Sequence, residues 1–127
     1  MRREFGSPTR ERGSASIWVV ACCSLTAMLA VVGVLRASAV LVRHHVESAA
    51  DLAALAAAGQ IGAGGDPCTS AAAIAAANRV RLVSCVFALS ADARSGAVAV
   101  AVEQTVRFAL IGPRSVRATA RAGRVAG

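Results

Sequence analysis

The sequence predicts a single-pass membrane α-helix extended into a long N-terminal helix, followed by a small α+β extracytoplasmic domain with one short helix on a three-stranded antiparallel sheet. Three observations support this fold class. The chain of 127 residues is 56% hydrophobic but only 3% aromatic, so it lacks the side chains that bury the most area in a soluble core. Residues 13–35 contain no charge. After residue 82, the apolar period changes from helical to alternating.

The first predicted element is a transmembrane helix at residues 13–35. As a helix, residues 17–35 would span roughly 28 Å, close to the hydrocarbon thickness of a bilayer. Four arginines precede this segment, and Arg36 and Arg43 follow it. This bias favours a cytoplasmic N-terminus at residues 1–12, and therefore a cell-membrane protein whose C-terminal domain is extracytoplasmic.

Other export signals are weaker interpretations of the same segment. A signal-peptidase site would fit Ala37-Ser38-Ala39 and would release a secreted protein, but the apolar stretch is longer than the usual signal-peptide core. Val19-Val20-Ala21-Cys22 has lipobox character, although almost no apolar run precedes it. Arg2-Arg3 lies too far before the apolar segment for a twin-arginine signal.

The helical pattern continues beyond the membrane over residues 36–58, where neither Gly nor Pro occurs. Polar residues recur at three- and four-residue steps and form one wet stripe. The other side is drier and rich in alanine, which lets a second helix approach closely. The stripe consists of His44, Glu47, Ser48 and Asp51; the drier side includes Leu41, Val46, Ala49, Leu52 and Leu55.

A family resemblance becomes specific here. Arg12-Gly-Ser-Ala-Ser16, an apolar helix and the run from Arg43 to Asp51, followed by Leu-Ala-Ala-Leu-Ala-Ala-Ala, resemble the N-terminal region of TadE/TadG-like proteins of the Flp (tight-adherence) pilus machinery. The short, arginine-rich chain is most similar to small actinobacterial TadE-like pseudopilins. The resemblance implies a role in pilus assembly or secretion, with other pilin-like or Tad-type membrane subunits and the bilayer as partners. It also implies a helix-packing motif of Arg43, Glu47, Ala50, Asp51, Leu52 and Leu55.

The same resemblance suggests a possible processing site between Gly13 and Ser14, as in type IV prepilins. Those proteins carry Glu at the fifth position of the mature chain. Here that position is Trp18, so the sequence departs from the pattern and favours a chain that is not cleaved in the orthodox way.

Residues 59–65 form a predicted Gly-rich linker, and residues 66–127 a small domain. Asp66 and Pro67 resemble the N-cap and first residue of a helix that ends near Asn78. Alternating residues then predict two strands joined by a loop at residues 92–96. After a second turn, a third strand over residues 115–122 would place Val116, Ala118 and Ala120 on one face and Arg117, Thr119 and Arg121 on the other.

Cys68 and Cys85 are predicted to form a disulfide. Ten helical residues rise about 15 Å and five strand residues return about 17 Å, so the two sulfurs would finish at a similar height. The alternative is two buried free thiols. Cys22 and Cys23, within the membrane segment, are interpreted as small apolar fillers. A zinc site is not expected, because no CxxC occurs and adjacent His44 and His45 point apart on a helix.

No catalytic motif is present in the sequence, so we expect neither an enzyme nor a cofactor. The formal net charge of +7 comes without the stacking aromatics of nucleic-acid-binding modules, so no nucleic-acid partner is expected. The alternative function is an anchored or secreted cell-envelope protein that binds anionic lipid or wall polymer. Its arginine-rich C-terminus would use Arg114, Arg117, Arg121 and Arg124.

Overall fold

A computed structural model describes residues 12–108 and 111–127. Within them, two α-helices precede a three-stranded antiparallel sheet with the strand order β1-β2-β3. This confirms the predicted fold: a long apolar helix, a short helix and an antiparallel sheet. Residues 1–11, most of the predicted cytoplasmic segment, lie outside the described residues. The elements are α1 (Arg12–Gln60), α2 (Pro67–Ala77), β1 (Arg81–Leu89), β2 (Gly96–Phe108) and β3 (Gly112–Arg124).

The chain divides into two compact units, residues 1–38 and 39–127. The described part of the first unit is the apolar half of α1, whose side chains are exposed. Among the described residues, α1 is the one helix long and apolar enough to cross a membrane. Two of its hydroxyls bond within the helix: Ser24 donates to the carbonyl of Val20, and Thr26 to that of Cys22. Such internal bonds suit a segment that lies in lipid.

The second unit, which we call the head, has its core between the helices and one face of the sheet. Alanines on α1 allow the helix to lie close to the valines of β2. The largest fully buried side chains are only Ile61 and four valines, so the core is thin. Its members from α1 are Val46, Ala49, Ala50, Ala53, Ala54 and Ala57, and from the sheet Val98, Val100, Val102, Ala118 and Ala120.

Helix α1 ends at Gln60, two residues beyond the predicted boundary, because Gly62 and Gly64 then adopt positive φ angles of 75° and 82°. The segment predicted as a linker is anchored at its start, where Ile61 is buried in the core. Arg124 donates to the Ile61 carbonyl over 2.9 Å and to the Gly59 carbonyl over 3.4 Å. The guanidinium group of Arg124 thus satisfies backbone carbonyls that the end of a helix leaves unpaired.

The sheet departs from strict alternation at one place. A β-bulge between Leu82 and Ser84 leaves Val83 without a partner. Leu82 therefore packs with Cys85 against the core, and the predicted alternation starting at Val83 is wrong at that residue. Phe87 and Leu89 are exposed. The disulfide joins Cys85 to the first turn of α2, so these two residues extend past the helix that covers the strand.

The third strand has the predicted faces. Ala118 and Ala120 are buried and Val116 packs against them, whereas Arg117, Thr119 and Arg121 are exposed. The register explains this, since Ala118 pairs with Val102 and Ala120 with Val100.

Candidate functional site

One side of α1 in the head remains exposed, and we call it the outer face of α1. Its large apolar members are Leu41, Leu52 and Leu55, whose exposed fractions are 69%, 49% and 63%. Exposed polar residues Ser48 and Asp51 lie among them. These positions recur at three- and four-residue steps, so they form one continuous surface along the helix. A row of exposed leucines on a helix is typical of a surface that contacts another molecule.

The predicted dry side of the helix was wrong in part. Leucines and alanines were expected to share one side, but the alanines are buried in the core of the head and Leu52 and Leu55 are exposed. Alanine permits the shortest distance between helix and sheet, and this decides which apolar side of α1 is buried. Ala50, a member of the predicted packing motif, is fully buried in the head, and the motif as a whole stays a prediction.

The charged members of the motif lie at the edge of the outer face. Arg43 Nε donates to Glu47 Oε1 over 2.9 Å, and His44 Nδ1 lies 3.6 Å from Glu47 Oε2. All three side chains are well exposed, so these pairs contribute little to stability. Asp51 has no hydrogen bond or ion pair with another described residue, which leaves its carboxylate free to meet a partner.

Sequence reasoning missed a contact made by His45. Its Nε2 lies 3.0 Å from the carbonyl oxygen of Asn78. Because a carbonyl can only accept, Nε2 carries the proton in this contact. The bond joins α1 to the end of α2 across 33 residues of sequence, and no local pattern could have indicated it.

The structure contains the Cys68–Cys85 disulfide, with the two Cα atoms 5.7 Å apart. Asp66 caps α2 as predicted, accepting from the Cys68 N–H over 3.1 Å and from the Thr69 hydroxyl over 2.6 Å. The Thr69 hydroxyl first, and then the Cys68 amide, hold the pKa of Asp66 below its usual value. The cap is therefore charged at neutral pH, and it weakens only when acid protonates this carboxylate.

The C-terminal arginines do not form one surface. Arg124 is engaged at the end of α1. Arg117 and Arg121 lie on the face of the sheet away from the helices, while Arg114 pairs with Val106 near the β2–β3 turn. Binding of anionic lipid or wall polymer by these four arginines, the alternative expected from the sequence, stays a prediction.

Within residues 12–108 and 111–127, no group of three or more His, Cys, Asp or Glu side chains is placed to hold a metal ion. Cys22 and Cys23 are free thiols on the exposed surface of α1.

The chain combines an apolar helix long enough to span a bilayer with a disulfide-linked α+β head. Residues 13–60 match a family model described as putative Flp pilus-assembly TadE/G-like. The match confirms the resemblance seen in the sequence, and it covers nearly all of α1. Residues 13–60 are therefore similar to a TadE/G-like segment. No curated protein and no solved structure matches the chain.

Proposed function

We propose that this protein is a non-enzymatic, pseudopilin-like membrane subunit that takes part in the assembly of a Tad-type pilus or its associated secretion system. The observation that carries the proposal is that α1 has two apolar faces in the head, one buried and one exposed. The alanine face is buried in the core of the head, and the outer face presents Leu41, Leu52 and Leu55 to solvent. A helix that already packs on one side has its other side free for a neighbouring subunit.

The partner that fits this surface is a helix of another pilin-like or Tad-type subunit. Exposed leucines supply the apolar area, and Ser48 is small enough to permit close approach between helices. Asp51 adds one unpaired charge among the leucines. A charge placed there selects the register and orientation of the partner more than it adds affinity.

The proposed arrangement places residues 13–35 in the bilayer, the N-terminus in the cytoplasm and the head outside. The arginine bias across the segment supports this direction. So does the Cys68–Cys85 bond, because disulfides persist in oxidising compartments. A role in assembly follows from the TadE/G-like segment together with the free outer face.

Cysteine crosslinking in cells that make the intact pilus machinery tests the proposal. In a chain with Cys22→Ala and Cys23→Ala, we expect Leu55→Cys to form crosslinked products with neighbouring subunits on mild oxidation. The matched control is Ala73→Cys, an exposed position on α2. If Leu55→Cys gives no product, or no more than Ala73→Cys, the outer face is not a subunit contact and the proposal fails.

A further inference from the structure

Strand β2 continues past the start of β1 and leaves a notch at the edge of the sheet. The first residue of β1, Arg81, pairs with Glu103, whereas β2 continues to Phe108. Over residues 104–108, β3 pairs with one edge of β2, and no strand of the described chain pairs with the other. Alternate residues of an unpaired edge direct their N–H and C=O groups outward, so the notch can accept an added strand.

A groove between α2 and the sheet lies at this notch. It has a volume of about 680 Å³, which is within the range of ligand-binding pockets. Its lining mixes apolar side chains with polar ones, which suits an extended polypeptide. Ala72, Ala76 and Leu82 are among the apolar residues, and Arg79, Gln104 and Thr105 among the polar ones.

Two polar residues of β2 in the groove differ in their bonding. The Oε1 atom of Gln104 is buried and has no hydrogen-bond partner among the described residues. An unpaired buried acceptor costs free energy, and a ligand that brings an N–H donor removes that cost. The carboxylate of Glu103 is engaged instead: Arg81 Nη2 donates to Oε2 over 2.6 Å, and the Ser115 hydroxyl donates to Oε1.

Arg79 lines the groove in a backbone conformation that is unfavourable for arginine. Its φ angle is 58°, in the left-handed region where glycine is the usual residue after a helix. The last carbonyls of α2 already accept backbone N–H groups, that of Ala76 from Arg79 and that of Ala75 from Val80, each over 3.0 Å. The guanidinium group is therefore not needed to cap the helix. It makes no hydrogen bond or ion pair with another described residue, so an exposed cation is held in the groove at a cost in backbone strain.

We propose that the notch binds the C-terminal tail of a partner polypeptide as a strand added to β2. Strand β1 runs antiparallel to β2, so a tail that runs in the direction of β1 ends where β1 begins. Its backbone pairs with residues 104–108, and its terminal carboxylate accepts hydrogen bonds from the guanidinium group of Arg79. The opposite direction would place a terminal ammonium group beside this arginine, so charge selects the carboxylate end. Strand addition and capture of a chain terminus are both established modes of peptide recognition.

The lining of the groove defines the chemistry of the tail. Side chains of the tail that face Ala72, Ala76 and Leu82 are apolar, and an N–H group of the tail donates to Gln104 Oε1. The tail is therefore an extended, largely apolar segment with a free carboxylate. The inference does not depend on a role in pilus assembly, because the residues that carry it belong to α2, the turn after it and the sheet.

Capture of peptides by the full-length chain in nanodiscs tests this proposal. Two pools of short peptides, randomised among Ala, Val, Leu, Thr and Ser, are identical except that one ends in a carboxylate and the other in an amide. After subtraction of capture by empty nanodiscs, we expect the carboxylate pool to be enriched about tenfold over the amide pool, because a hydrogen-bonded charge pair is lost with the amide. Equal capture of the two pools, or no capture of either, would overturn the proposal.

Arg79→Gly separates the ligand contact from the fold. Glycine suits the backbone at this position, so the variant should keep the native structure while the preference for the carboxylate pool disappears. The matched control is Arg121→Gln, which removes the same charge from an exposed position on the other face of the sheet and should keep the preference. A preference that survives Arg79→Gly, or that is lost equally in Arg121→Gln, contradicts a specific contact with Arg79.

Hydrogen exchange with the most strongly captured peptide locates the added strand. We expect slower exchange of backbone amides within residues 104–108 when the peptide is present, and no change in Arg79→Gly. Binding that leaves these amides unprotected would show that the tail does not add to β2, and the proposal would fail.

Discussion

Reduction of the Cys68–Cys85 bond is expected to lower the free energy of unfolding of the head by about 3 kcal/mol, the value typical for a closed loop of this size. The two cysteines are separated by 17 residues. The head depends on this bond more than a larger domain would, because its core is built from alanine and valine without a buried aromatic ring among the described residues. A small core supplies only a few kcal/mol of net stability.

Hydrogen exchange at the amides of β2 measures this effect directly. The chain is compared in nanodiscs with and without reductant over a series of denaturant concentrations. The lone tryptophan, Trp18, lies in the apolar segment and would not report on the head. Cys68→Ser with Cys85→Ser should match the reduced protein and show no response to reductant. Equal protection of β2 in oxidised and reduced protein would show that the bond does not stabilise the head.

Ala54→Asp and Leu55→Asp are expected to differ sharply although the positions are adjacent. Ala54 is 1% exposed and belongs to the core of the head, whereas Leu55 is 63% exposed. A carboxylate at position 54 would be buried without a partner, which costs about 4 kcal/mol and unfolds a head of this size. A carboxylate at position 55 remains in water and changes the free energy of unfolding by less than about 1 kcal/mol.

The pair separates folding from assembly. Leu55→Asp should keep the native exchange protection of β2 while it removes the apolar contact proposed for the neighbouring subunit, so pilus assembly should be lost from a folded protein. Ala54→Asp should lose both. If Ala54→Asp retains native protection, the helix does not pack on the sheet through its alanine face. If Leu55→Asp assembles normally, the outer face is not required.

The elements that could be predicted from the sequence are those with a local signal. Asp66 and Pro67 mark the start of α2 because capping needs a particular side chain at a particular position. The faces of β3 follow from alternation of Ala and Arg. The Cys68–Cys85 pairing could be predicted because helix rise and strand rise bring both residues to the same height.

Other features depend on contacts between distant residues. Helix α1 is apolar on more than one side, so the spacing of its apolar residues does not show which side is buried. The small alanine side chains allow close packing, and this selects the buried side only in the folded head. The bulge at Val83 shifts the strand by one residue with no Gly to mark it. The bonds from His45 to Asn78 and from Arg124 to Ile61 join residues 33 and 63 positions apart. No local pattern predicts such pairs.

We propose that the apolar helix holds a folded head on the outer side of the membrane. The most direct test is reaction of Ala73→Cys, in a chain with Cys22→Ala and Cys23→Ala, with a membrane-impermeant maleimide. We expect the cysteine at position 73 to be labelled in intact cells. We also expect the labelled protein to stay with the membranes after an alkaline wash. Labelling only after the cells are opened, in a protein recovered from the soluble fraction, would contradict it.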